Sequence, residues 1–135
     1  MRRVRAGALA GLIWIASVAA HAAIDPGELA FQYCFSCHSV DPADKTLPGP
    51  NLFGVLCRRP AAVKGFAYSD AMKAFARENR LWTPELLEQY LTDPEEIIPG
   101  TPMSLPPQAT TPDARRDVIA YLRKHSGNSA RACPK

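Results

Sequence analysis

Hydrophobic and polar positions divide the chain unevenly. Met1-Arg2-Arg3-Val4-Arg5 is basic, and Ala6–Ala20 after it is apolar or small at almost every position. Beyond Ile24 the apolar residues come singly and at helical spacing, with Val118, Tyr121 and Leu122 forming one i, i+3, i+4 stripe. Helix-start signals punctuate this part. Asp25-Pro26-Gly27-Glu28 combines an N-cap, a proline at the first helical position and an acid in the first turn, which predicts a helix running on into Cys34–His38. Ser69 caps a predicted helix reaching about Asn79, Thr83-Pro84 starts one over Glu85–Thr92 that stops before Pro94, and Thr111-Pro112 opens the last, ended by Gly127. No segment alternates apolar and polar residues as a half-buried strand does. The predicted fold is all-α, four to five helices joined by proline-rich loops.

Ala6–Ala20 is 15 residues, short of the roughly 18 to 20 needed to cross a bilayer. Ala20-His21-Ala22 puts small residues where a signal peptidase reads them, so residues 1–22 read as a secretory signal cleaved after Ala22, and 23–135 as a single domain. An uncleaved N-terminal anchor is the alternative. Export changes the charge. The whole chain carries 16 Lys+Arg and 13 Asp+Glu, a net +3, but Arg2, Arg3 and Arg5 lie in the signal and leave a neutral mature domain. The basicity therefore points to no anionic partner, nucleic acid included. The 113 residues that remain hold all 13 prolines, and so small a chain needs help to fill an interior.

Cys34-Phe35-Ser36-Cys37-His38 supplies that help, because it matches C-x-x-C-H, the attachment sequence of c-type haem. Two thiols at this spacing add to the vinyl groups on one porphyrin edge, and the adjacent histidine reaches the iron. A thioredoxin-like dithiol is the alternative, but the β-α-β pattern it requires is not visible. The position opposite His38 is open to three residues, since the mature chain has only Met72, Met103 and His125 besides. Met72 sits in a predicted helix and reads as core, and His125 sits in the last turn of the final helix, where a cation suits the dipole. Met103 follows Ile98-Pro99-Gly100-Thr101-Pro102, a stiff extended loop able to hold a thioether in place, although a gap-filling loop methionine would look the same.

The chain also resembles a known family. Cys34–His38, Leu47-Pro48-Gly49-Pro50-Asn51-Leu52-Phe53-Gly54, Gly65-Phe66-Ala67-Tyr68-Ser69-Asp70, Trp82, Tyr90-Leu91, Ile98–Met103 and Ile119-Ala120-Tyr121-Leu122 are similar, in order and spacing, to class I cytochromes c. The mitochondrial cytochromes and their bacterial periplasmic relatives are the nearest in pattern. The resemblance spans about residues 25 to 125 and implies a cytochrome c fold around one haem c held by Cys34 and Cys37, with His38 and Met103 as the axial ligands. It further implies that the Pro50 carbonyl accepts the second N–H of His38, that Tyr68, Trp82 and Arg58 donate to the haem propionates, and that Tyr90 approaches the methionine sulfur. The first and last helices are expected to cross, Gly27 and Phe31 meeting Val118, Tyr121 and Leu122.

Departures from the family pattern bear on partners. Pro102 and Leu105 replace a lysine and an aromatic residue, and Pro106-Pro107-Gln108-Ala109-Thr110 stands where a lysine cluster is usual. A neutral domain without that cluster is not built for lysine-ring docking. Pro102, Leu105, Pro106 and Pro107 suggest a more apolar docking face instead, with simple loop packing as the alternative. Cys57 and Cys133 remain after the haem pair, and in an oxidising compartment an even remainder reads as a disulfide, with two free thiols or dimerisation through Cys133 as the alternatives. Closing the 77-residue span would stabilise by roughly 4 to 5 kcal/mol in the chain-entropy model.

With both axial positions filled, such a site passes single electrons and does little else. The expected function is a periplasmic one-electron carrier rather than an enzyme, acting as a monomer with redox partners at the exposed haem edge and without stable membrane insertion. A haem enzyme or ligand sensor with a labile methionine, or an electron-accepting subunit dedicated to one dehydrogenase, are the alternatives. No phosphate loop, hydrolytic triad or internal repeat is present.

Overall fold

A computed structural model of the chain describes residues 23–79 and 81–127. The expected signal at 1–22 and Cys133 lie outside the described residues. Five α-helices form, α1 Pro26–Phe31, α2 Asp70–Glu78, α3 Pro84–Thr92, α4 Pro94–Ile97 and α5 Pro112–Lys124, with a 3-10 turn at Pro107–Thr110. No strand occurs among the described residues. The fold is all-α, as expected.

Side-chain caps start these helices where the sequence places them. Asp25 accepts from the Gly27 N–H at 2.9 Å, Ser69 from Met72 at 3.2 Å, Thr83 from Leu86 at 3.1 Å and Thr111 from Ala114 at 3.3 Å. Each satisfies an amide that the first helical turn leaves without a partner. Three boundaries differ from the reading of the sequence. Helix α1 ends at Phe31, because the Cys34 N–H bonds the Phe31 carbonyl three residues back and tightens the chain into turns through Cys37. Pro94 does end α3 but begins α4, whose first amides at Glu95 and Glu96 are both held by Asp93 at 3.1 Å. That Asp-Pro-Glu-Glu run carries the same signature as Asp25–Glu28. Pro107–Thr110, expected as loop, coils into the 3-10 turn because Ala109 is buried against α5 and α3.

The frame is the crossing of α1 and α5. A Cβ on Gly27 would stand 2.7 Å from both the Asp117 carbonyl oxygen and Tyr121 Cβ, so only glycine lets the two backbones come this close. Phe31, 0% exposed, stacks on Tyr121 with centroids 4.9 Å apart. Helix α3 lies along α5 and brings Leu87, Tyr90 and Leu91 inward, while α2 packs through Met72 and Phe75.

Asp25 ties this crossing together from outside, capping α1 and pairing with Lys124 near the end of α5. Lys124 first, and the Gly27 N–H second, hold the Asp25 carboxyl below its usual value. A depressed folded pKa means the stabilisation is complete above the unfolded carboxylate value and is lost as pH falls through the lowered one. Asp25→Asn keeps a capping oxygen and removes the charge. Its denaturant midpoint should therefore lie below that of the native protein near neutrality and converge with it in acid; parallel pH profiles would show that the charge contributes nothing.

Candidate functional site

The elements enclose a cavity of about 760 Å³, of cofactor size. Cys34, Cys37 and His38 line it from the turns after α1, Pro50 and Arg58 from the following loop, Tyr68 ahead of α2, Trp82 and Tyr90 around α3, and Met103 from the loop after α4. All nine residues named for cofactor binding from the sequence therefore come together. Apolar groups fill the wall between them, among them Phe31, Leu52, Val55, Leu87, Leu91 and Val118.

His38 is held on two sides. Its Nδ1–H donates to the Pro50 carbonyl at 2.8 Å, which leaves Nε2 with its lone pair in the neutral ring. Burial pushes the His38 pKa down, against the upward pull of that hydrogen bond, and so favours the neutral ring a metal needs. Gly49 supports the ring from beneath: a Cβ there would meet His38 Cε1 at 2.5 Å and the Cys37 carbonyl oxygen at 2.6 Å. The Gly49 N–H also bonds that carbonyl at 2.7 Å. Burial first, and Cys37 second, push the Cys34 thiol up to about 11, so unattached it stays protonated at neutral pH.

The polar rim is more committed than the sequence suggests. Arg58 lines the cavity, but Nη1 donates to the Phe53 carbonyl and Nη2 to the Asn51 carbonyl, both at 2.9 Å. Asn51 in turn donates from Nδ2 to the carbonyls of Asp41 at 2.6 Å and Asp44 at 2.8 Å. Part of the Arg58 fork thus fastens the loop beside the cavity. Its backbone is fastened too, with Trp82 N–H to the Arg58 carbonyl at 2.8 Å and Cys57 N–H to the Trp82 carbonyl at 2.9 Å. The Tyr68 oxygen accepts a long bond from the Val63 N–H at 3.3 Å, which leaves its proton to donate elsewhere.

Also along the cavity, the Tyr90 hydroxyl and Thr101 Oγ1 are hydrogen-bonded at 3.1 Å, and Thr101 Oγ1 accepts from the Met103 N–H at 3.4 Å. Glu95 takes the Gly100 N–H at 2.9 Å, so α3 and α4 both hold the loop that carries Met103. The sequence assigns no separate role to Thr101, Asn51 or Gly49. Only Gly49 leaves a signal there, as a glycine set between Pro48 and Pro50, a run that no regular helix accommodates. Of the other two candidates for the position opposite His38, Met72 also lines the cavity, whereas His125 bonds the Tyr121 carbonyl through Nδ1 at 2.9 Å and does not.

These residues suit a haem: the lining combines two thiols and an imidazole, many apolar groups, and N–H and O–H donors able to satisfy carboxylates. The comparisons agree. No protein-family model matches the chain. It is 38% identical over 120 residues to cytochrome c2 of Blastochloris viridis, covering 86% of this chain and 90% of that protein. Cytochrome c2 of Rhodomicrobium vannielii is 39% identical over 120 residues, covering 87% and 91%. Among solved structures, cytochrome c2 from Rhodospirillum centenum superposes with a TM-score of 0.67 at 36% identity over 76% of this chain and 98% of that one. With that identity over most of both chains, and one cavity walled by the C-x-x-C-H cysteines, this chain belongs to the class I c-type cytochromes, electron carriers with one haem c, here joined through Cys34 and Cys37.

Proposed function

We propose that the chain is exported, loses residues 1–22, and works in the periplasm as a monomeric carrier whose haem iron is held between His38 and Met103. The observation that supports the ligand assignment is that His38 and Met103, far apart in the chain, line the same cavity. When bound, haem c takes up and releases one electron. The protein's part is to keep its ligands in place in both oxidation states. Pro50 and Gly49 hold the imidazole, and Thr101, with Tyr90 behind it, holds the methionine loop. Tyr68, Trp82 and the uncommitted part of the Arg58 guanidinium stabilise the propionates inside the fold. Among the described residues no helix is long and apolar enough to cross a membrane, which supports a carrier that is free of the bilayer after cleavage.

Redox partners dock where Met103-Ser104-Leu105 approaches the haem edge. Pro102, Pro106 and Pro107 are exposed there, and Leu105 is half-buried against the core, which supports a more apolar face than a lysine ring provides. A Cys57–Cys133 disulfide belongs to the same proposal. Among the described residues the free thiols are Cys34 and Cys37, and Cys57 holds a left-handed φ of 65° where the family favours glycine. Cys133 lies outside the described residues.

Absorption spectra of the purified holoprotein test the ligation and the function together. A weak sulfur-to-iron charge-transfer band in the red for the oxidised form, reversible one-electron titration, and no carbon monoxide binding to the reduced form are expected. Ready carbon monoxide binding without the red band would replace the carrier with a haem enzyme or sensor.

A further inference from the structure

Apart from the haem cavity, a second cleft of about 350 Å³ opens where the loop before Tyr68 meets α2. Its walls carry Arg59, Lys73 and Arg77, together with Pro60, Ala61 and Ala62. Lys73 and Arg77 stand four residues apart and so share one face of α2, while Arg59 reaches in from the loop. All three are exposed. Lys73 pairs with Asp70 at 3.1 Å, an exposed i, i+3 contact that contributes little and can be given up. Arg59 and Arg77 have no carboxylate partner among the described residues.

Three cations around one cleft in a neutral mature domain need an explanation. Like charges gathered with one exposed carboxylate, Asp70, between the three of them are unfavourable unless something more anionic joins them. The backbone adds to the case. Ala61 holds φ at 55°, a conformation an alanine rarely keeps, and among the described residues the N–H groups of Ala61 and Ala62 bond no backbone acceptor. A left-handed residue in a turn is how successive amides come to face a single anion. Arg59 and Ala61 also line the haem cavity, so the two spaces share a wall.

We propose that this cleft binds an oxyanion of the phosphate class, and that its occupancy favours the oxidised protein. The first half stands on the cleft alone; the second rests on the carrier reading, because it would need a redox-active haem in the adjoining cavity. The oxidised protein carries one more positive charge than the reduced one, so an anion beside the haem binds it more tightly. By linkage the anion must then lower the reduction potential by the matching amount. Fork-shaped guanidiniums and a lysine are the donor set that phosphate oxygens take.

Calorimetric titration of oxidised holoprotein with inorganic phosphate, at constant ionic strength, tests the site. Saturable one-to-one binding is expected, weakened tenfold or more in a Lys73→Gln, Arg77→Gln double variant whose haem spectrum is unchanged. Co-sedimentation with phosphatidylglycerol against phosphatidylcholine vesicles separates the two sources of such an anion. Response to vesicles but not to free phosphate assigns the same chemistry to a lipid headgroup. Binding of neither, or binding indifferent to the double variant, overturns the site. For the coupling, the oxidised form should bind about threefold more tightly, which lowers the potential by about 28 mV given about 59 mV per tenfold for one electron. Saturable binding with an unmoved potential would overturn the coupling and leave the site, while failure of the carrier reading would already appear in the spectra.

Discussion

Replacing Gly49 by alanine should displace His38 from the position in which it is proposed to hold the haem iron. The added Cβ would lie 2.5 Å from His38 Cε1, 2.7 Å from His38 Nδ1 and 2.6 Å from the Cys37 carbonyl oxygen. None of these neighbours can yield easily. The ring is tethered to Pro50 at 2.8 Å, and the carbonyl belongs to a residue fixed by its own thioether and by the Gly49 N–H at 2.7 Å. Overpacking of this kind costs about 1 to 3 kcal/mol. Loss of the outer hydrogen bond to a metal-bound histidine weakens a site by about 10- to 100-fold. The expected outcome is a low yield of holoprotein, with the iron of what forms shifted from low spin toward high spin. Gly49 carries no left-handed φ, so the effect is one of space and not of backbone strain. A Gly49→Ala protein with native spectrum and native unfolding midpoint would mean that the turn gives way without cost.

Phe31→Ala should be the most damaging change to stability. The ring is 0% exposed, stacks on Tyr121, and meets Phe35 edge-on at 4.9 Å and 84°. It also forms part of the haem cavity wall, so its removal loosens the helix crossing and the cofactor contact at once. Truncating a buried phenylalanine costs about 3 to 5 kcal/mol, a large share of the about 5 to 15 kcal/mol that holds a domain together. Leu29, two residues away on the same helix and 54% exposed, provides the contrast: Leu29→Ala should fall within about 0.5 kcal/mol of native. Guanidinium unfolding of the three holoproteins measures both. Equal losses for the two variants would show that the α1–α5 crossing does not depend on the ring.

Local chemistry is legible wherever a few neighbouring residues suffice to decide it. Asp25, Ser69, Thr83 and Thr111 each announce a helix start, because a cap needs only its own side chain and the next three amides. The same rule also locates α4, since Asp93-Pro94-Glu95-Glu96 repeats the signature; reading Pro94 only as a stop overlooks that a proline ending one helix can open the next. The 3-10 turn at Pro107–Thr110 has no such signal. It forms because Ala109 is buried beneath it, and burial is decided by α3 and α5.

The site divides along the same line. Cys34, Cys37 and His38 stand close together in the chain because haem attachment demands it, so five consecutive residues disclose the cofactor. The position opposite His38 is different. Spacing alone leaves Met72, Met103 and His125 open, and the fold turns His125 to the Tyr121 carbonyl while both methionines line the cavity. The partners of the rim are hidden as well. By resemblance Arg58 is expected to donate to the haem propionates, yet two of its N–H groups hold backbone carbonyls five and seven residues away.

The helical class, the cap positions and the haem attachment each rest on contacts within a few residues, and so they can be read from the chain alone. Which distant groups share a wall is a matter for the tertiary structure. It sets Tyr90 and Thr101 behind Met103, Gly49 under His38, and Arg59 beside Lys73 and Arg77. Such pairings depend on how α1 and α5 cross and how the loops close around the cavity. Chain neighbours do not encode them, because burial against distant residues selects them.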